Sequence, residues 1–214
     1  MLAFLGGTGP EGKGLALRFA LAGEEVVIGS RDGNRARETA EALQELAPGA
    51  AISGDENSVA AQRGDTVFIA VPYVGQKPLL EQVEEHLTAK VVVDVVAPLA
   101  VTKGRARAVT VEDGSAAMEA QQILPDSYVV AAFHNISAAE LVIPHKVVDG
   151  DVVVCSDHQE PKELVMGLVR KIKDLRPVDG DGLENAKYVE QLTALLLNIN
   201  RIYKAHSMIK IVGV

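Results

Sequence analysis

The first 31 residues constrain the fold more than any other stretch. A short apolar run, Leu2-Ala3-Phe4-Leu5, leads into Gly6-Gly7-Thr8-Gly9-Pro10-Glu11-Gly12-Lys13-Gly14, then an apolar-periodic stretch, then Val26-Val27-Ile28-Gly29-Ser30-Arg31. Gly7, Gly9 and Gly12 form G-x-G-x-x-G directly after a strand and at the opening of a helix, the context in which the pattern is informative. It predicts a βαβ unit whose glycines admit a pyrophosphate close to the backbone, while the helix offers unpaired N–H groups at its positive end. Thr8 adds a hydroxyl donor. The end of the second strand then selects the nucleotide. NAD sites carry Asp or Glu about 20 residues on, for the ribose 2′-hydroxyl; this chain has Ser30 and Arg31. A carboxylate there would repel a 2′-phosphate, whereas a hydroxyl and a guanidinium bind one. NADP(H) is the expected cofactor, and Arg35, one helical turn on, completes the phosphate cradle.

Other anion-binding patterns share this spacing and fail on context. Gly6, Gly9 and Gly12 also read G-x-x-G-x-x-G, as in short-chain dehydrogenases, and Tyr73 and Lys77 have the Tyr-x-x-x-Lys spacing of that catalytic pair. That pair belongs on a continuous helix, and here it lies between Pro72 and Pro78 with Gly75 inside. Gly7, Gly12 and Lys13 imitate a P-loop, but Gly14 replaces the Ser or Thr that would hold Mg²⁺.

Short β-rich runs alternate with helical ones through the first two thirds, the signature of an α/β fold of the Rossmann type, a doubly wound and mainly parallel sheet. Strands are predicted over 2–6, 25–29, 50–53, 66–71, 91–96 and 127–133. Helices are predicted over 14–22, 35–46 (capped by Asp32 or Asn34), 57–62, 78–87 and 115–124. Val67-Phe68-Ile69-Ala70-Val71 and Val91 to Val96 are almost wholly apolar, as interior strands covered on both faces are. Beyond residue 134 come a strand over 151–155, a helix over 161–175, a turn over 176–182 and a long apolar-striped helix over 184–205. The expected division is 1–134 for NADP and 135–214 as a small C-terminal helical lid that binds the acceptor or a second subunit.

With 214 residues, 48% apolar and 23% charged, the chain has ample core. A net charge of −8 argues against nucleic acid and anionic membranes as partners. No signal peptide or membrane span is read. The single cysteine, Cys155, lies in an apolar strand and reads as a structural thiol in a reducing compartment. A cytoplasmic protein is expected. No His, Cys or acidic cluster has metal-ligand spacing, so no metal is expected.

Open α/β sheets bind ligands beyond the carboxyl ends of their strands. Those ends are Val71-Pro72-Tyr73, Val96-Ala97-Pro98 and Phe133-His134-Asn135-Ile136-Ser137. Tyr73 offers a flat wall for a ring. His134 is the ionisable residue placed to touch an electron acceptor. With no nucleophile or acid–base dyad, the site suits direct hydride transfer between two bound rings, where positioning and exclusion of water do most of the catalysis.

The string Leu5 to Arg18, followed by Ile28-Gly29-Ser30-Arg31, closely resembles the NADPH-dependent reductases of coenzyme F-420, a deazaflavin. Val71-Pro72 with an aromatic residue next, Ser115-Ala116-Ala117, Ala132 to Ile136, Leu175 to Asp179 and Leu192 to Ile199 carry the likeness along nearly the whole chain. The resemblance implies reversible hydride transfer between NADP(H) and coenzyme F-420 as hydride partner, in a homodimer. By position it implies that Thr8, Ser30, Arg31 and Arg35 hold phosphates, Arg35 standing where a Lys is familiar. Pro72, His134, Asn135, Ile136, Ser137 and Ala138 would surround the nicotinamide and deazaflavin, and Met208-Ile209 would approach the deazaflavin. Tyr73 stands where archaeal members have Trp, and Ser137 where they have Pro; both departures fall on the acceptor side. Two other readings remain open at this point: an NADPH-dependent reductase of a flavin, ferric complex or cyclic imine, and a non-catalytic NADP-binding sensor.

Overall fold

A computed structural model describes residues 1–214. Six parallel strands form the central sheet: β1 (Leu2–Leu5), β2 (Val26–Ser30), β3 (Ile52–Glu56), β4 (Thr66–Ile69), β5 (Val91–Asp94) and β8 (Tyr128–Ala131), in the order β3-β2-β1-β4-β5-β8. The order reverses between β1 and β4, where Leu2 stands beside both Val26 and Thr66. This switch point opens the crevice in which such sheets take nucleotides. All four residues of β1 and of β4 are buried, as strands covered on both faces must be.

Alternation divides the core into two layers. On one face Phe4 and Phe68 stack at 4.6 Å, and Phe19 meets Phe133 edge-on at 6.0 Å. The opposite face carries Leu5, Ile69, Leu80 and Val92. Five helices connect the strands: α1 (Pro10–Leu21), α2 (Gly33–Leu46), α3 (Asn57–Arg63), α4 (Gln76–Val83) and α5 (Ala116–Ile123). Asp32, of the two caps considered, caps α2 by accepting from the amides of Asn34 at 2.9 Å and Arg35 at 3.4 Å. The first helix begins at Pro10, four residues before the expected start at Gly14, because proline fits the first helical position and needs no N–H partner there.

Several elements differ from expectation. A hairpin, β6 (Leu99–Thr102) with β7 (Arg105–Ala108), fills a stretch read as loop. Asn198 stands in for a neighbouring strand, accepting from the Ala106 amide at 3.1 Å and donating to its carbonyl at 2.8 Å. A short helix, α6 (Ala138–Leu141), follows the last sheet strand, and Arg18 fastens it by donating to the carbonyls of Glu140, Leu141 and Ile143 at 2.7–2.9 Å. The predicted turn over 176–182 is partly a strand: β9 (Gly150–Val154) and β10 (Leu175–Asp179) pair in parallel around α7 (Gln159–Lys171). Pro177 is tolerated because β10 is an edge strand. One antiparallel bridge joins this unit to the main sheet, Ala131 donating to Cys155 at 2.9 Å and accepting at 3.0 Å. The residues after 134 are thus more than a helical lid, and Val152, Val165 and Val169 pack into the same apolar layer as Phe4. Burial pushes the Cys155 thiol up to about 11, which fits an inert structural role. The last helix is α8 (Ala186–Tyr203). No helix is long and apolar enough to cross a membrane.

Candidate functional site: two cavities at the strand ends

The carboxyl ends of the strands open into two neighbouring cavities. The first, about 920 Å³, is lined by Gly6, Thr8, Gly9, Ser30, Arg31 and Arg35, with Val71 and Pro72 on the far wall. Gly6 turns the chain out of β1 with φ +69°, a left-handed conformation that glycine adopts without strain. A Cβ on Gly12 would lie 2.6 Å from the Gly7 Cα, so only glycine lets α1 start this close to the loop. The amides of Thr8, Glu11 and Gly12 have no acceptor within the chain. Three unpaired donors therefore lie at the positive N-terminal end of α1, on the loop whose Gly6, Thr8 and Gly9 line the cavity.

Asn57, which sequence reasoning missed, accepts from the Gly6 amide at 3.2 Å and ties the loop to α3. Its only sequence signal was its place at the first turn of a helix following β3. Ser30 is 7% exposed and accepts from the Asp32 amide at 3.2 Å, which leaves its hydroxyl hydrogen for a ligand. Arg31 and Arg35 are exposed at the same rim, and neither guanidinium is engaged by a carboxylate. Two free cations, a hydroxyl and a row of free amides, in a crevice at the switch point, are what a phosphorylated dinucleotide requires.

The second cavity, about 500 Å³, is lined by Pro10 and Glu11, which follow the Gly9 of the first in the chain. Its floor is the chain from Phe133 to Ala139 and its outer wall is α8, through Thr193, Leu196 and Asn200. Phe133 holds φ +68°, a strained conformation for a bulky residue, kept in place by its burial against Phe19 and Phe68. Thr193 donates to the His134 carbonyl at 2.9 Å, and the Asn135 side chain donates to the Val189 carbonyl at 2.8 Å. Thus α8 sets the position of the strand-end loop, and the Asn135 amide group is spent on α8. Ile136, Ser137 and Ala138 line the cavity as expected.

His134 is 7% exposed and neither ring nitrogen has a hydrogen-bond partner. Burial pulls its pKa down to about 4, with a weaker opposing pull from the Val96 backbone, which lies near the ring but out of hydrogen-bonding geometry. The ring is neutral at physiological pH, with a donor and an acceptor both unused. Glu11 also points inward, and its Oε1 is buried without a partner.

Three expected site residues, Tyr73, Met208 and Ile209, line neither cavity. The Tyr73 hydroxyl donates to Glu119 at 3.2 Å, away from the crevice. Met208 and Ile209 pack on the start of β9, Asp151 donating to the Ile209 carbonyl at 2.9 Å, while their neighbours His206 and Ser207 line the second cavity. Beneath the site lies a buried acid pair that sequence reasoning also missed. Asp94, fully buried, accepts from the Val96 amide at 2.9 Å, and Glu190, 2% exposed, accepts from Ala116 at 2.9 Å and Ala117 at 3.1 Å at the start of α5. Burial, with the Glu190 charge adding to it, holds Asp94 well above the carboxylate range, and burial raises Glu190 to about 7.

Comparison with known proteins gives this arrangement a family. Residues 1–98 match the family described as "NADP oxidoreductase coenzyme F420-dependent". The F420-dependent NADP reductase of Methanothermobacter marburgensis is 41% identical over 93% of this chain and 92% of its own. That of Methanocaldococcus jannaschii is 37% identical over 95% of this chain and 94% of its own. Among solved structures, an Arthrobacter sp. FB24 protein described as an F420-dependent NADP-reductase shares the fold, with TM-score 0.85 over 99% of both chains at 23% identity. Likeness at this level along almost the full length shows that the chain belongs to the F420-dependent NADP reductases.

Proposed function

We propose that this protein transfers a hydride reversibly between NADP(H) and coenzyme F-420. The observation that carries the reading is the pair of cavities beyond the strand ends: a crevice lined by two arginines free of carboxylate partners and, on the next residues of the chain after Gly9, a second and more apolar cavity. When bound, the nicotinamide and the deazaflavin supply the hydride chemistry themselves. The protein binds, orients and dries them. The free amides of Thr8, Glu11 and Gly12, with the hydroxyl of Thr8, hold the pyrophosphate; Ser30, Arg31 and Arg35 hold the 2′-phosphate. Val71 and Pro72 border the crevice, and Ile136, Ser137 and Ala138 form the floor on which the rings meet. His134 offers an uncharged hydrogen bond to the acceptor without adding a charge to the chamber.

The same reading gives residues 1–134 to the nucleotide and 135–214 to the acceptor and a partner subunit, in a cytoplasmic homodimer. Tyr188, Leu195 and Ile202, at 62%, 55% and 61% exposure, recur every seven residues on the outer face of α8, which suits self-association. The test mixes protein, NADPH and F-420 and follows loss of the oxidised deazaflavin absorbance, with flavins as control acceptors. Turnover with F-420 at rates far above the flavin rates is expected. No turnover overturns the reading.

A further inference from the structure

Glu11 is an unusual residue to find lining the second cavity. It is the second residue of α1, where a glutamate ordinarily stays ionised, solvated and favoured by the helix dipole. Here the carboxyl turns inward on one side: its Oε1 lies out of water with no donor, while the residue as a whole is half-buried. Nothing nearby compensates a negative charge. The titratable groups lining the chamber besides Glu11 are His134, from the loop after β8, and His206, from the chain after α8; no lysine or arginine lines it. On α6, which packs against α1, Glu140 is engaged by Lys146 at 3.2 Å, and Arg18 of α1 is spent on α6 carbonyls. Burial alone raises the Glu11 carboxyl to about 8. A pyrophosphate held at the same helix end adds a second reason for the group to be neutral.

What would ionise it is a positive charge entering the chamber. A reduced nicotinamide is uncharged and an oxidised one is a cation, and beside a carboxyl with one oxygen out of water the difference acts strongly. We propose that Glu11 is the proton-handling group of the reaction: an acid beside the reduced nicotinamide, a carboxylate beside the oxidised one, yielding the proton that the net reaction consumes. This rests on the hydride-transfer reading above. In the forward direction the nicotinamide C4–H bond breaks, and hydrogen and electron pair form a new C–H bond on the acceptor ring. The acceptor also requires one proton, at a ring nitrogen. Glu11 supplies it, directly or through water: its O–H bond breaks, an N–H bond forms, and the carboxylate left behind offsets the new positive charge. In reverse, Glu11 takes the proton back.

The test uses the full-length protein and the two nucleotides separately, without acceptor, so that nothing turns over. In weakly buffered solution at about pH 7 with an indicator dye, NADP⁺ binding is expected to release most of one proton per site and NADPH binding almost none. Between pH 7 and about 8, where the 2′-phosphate is already ionised and Glu11 of the free protein is still mostly protonated, NADP⁺ affinity should rise severalfold while NADPH affinity stays level. Glu11→Gln keeps the shape and removes the titration, so it should abolish both the release and the pH dependence. Equal release with the two nucleotides, or release that persists in Glu11→Gln, overturns the proposal while the nucleotide reading stands. The wild-type comparison needs no variant to fold. Failure of both nucleotides to bind overturns the nucleotide reading itself.

Discussion

The two cavities are built on opposite principles. The nucleotide crevice takes most of its ligands from two consecutive stretches, Gly6 to Gly12 and Ser30 to Arg35, and its charged groups are exposed and unpaired. The second cavity is assembled from α1, the strand-end loops and α8, and both ring nitrogens of His134 and the Oε1 of half-buried Glu11 are out of water without partners. An exposed cation waits for its anion at little cost, because water solvates it meanwhile. A buried polar atom without a partner is held at a cost of about 1–3 kcal/mol, which only surrounding packing can sustain. The first half can therefore be encoded locally, whereas the second exists only once the whole chain has folded around it.

Breaking the crevice at its backbone gives the largest effect. Gly12→Val places side-chain atoms against the Gly7 Cα, and isothermal titration should show NADPH binding lost by more than about 4 kcal/mol, or no folded protein. Arg31→Ala, which leaves the backbone alone, should weaken NADPH by about 1.5–3 kcal/mol and NADH hardly at all. Equal losses would contradict the 2′-phosphate role. Arg31→Ala should leave the second cavity intact.

The chamber side responds to pH instead. Glu190 has its ordinary pKa of 4.5 raised to about 7, so between those values the folded state keeps a proton that the unfolded chain has lost. Its stabilising contribution is full below about pH 4.5 and disappears as pH rises through about 7. Glu190→Gln should flatten that part of the fall, by about 2 kcal/mol in denaturant melts at pH 5 and pH 8. Smallest is His134→Ala, expected to lower kcat about three- to tenfold, or about 1 kcal/mol, with NADPH affinity unchanged. Unchanged kcat would return that histidine to a packing role.

Much of the frame was legible because its signals are local. The apolar runs of β1, β4 and β5 announce interior strands, and the glycine loop announces the helix that follows, though Pro10 starts it earlier than the glycines suggested. The strand β10 escaped because Pro177 and the glycines after it read as a turn, and only pairing with β9 makes them an edge strand. Tyr73 was read as a wall of the site from its place after a strand; Glu119, 46 residues on, draws its hydroxyl away. The C-terminal approach to the chamber falls on His206 and Ser207 instead of Met208 and Ile209, because β9 captures the latter pair.

Taken alone, the order of residues determined a Rossmann-type sheet, a phosphate loop and a preference for NADP, since each depends on neighbours within about one helical turn or on strand periodicity. Tertiary structure decided which polar groups were removed from water. Nothing in the sequence marks Glu11, within the glycine loop, or Glu190, on the last helix, as an acid with a raised pKa; one is pushed up to about 8 and the other to about 7 by burial that the fold creates. Desolvation is a property of everything that surrounds a group, and no local spacing carries it.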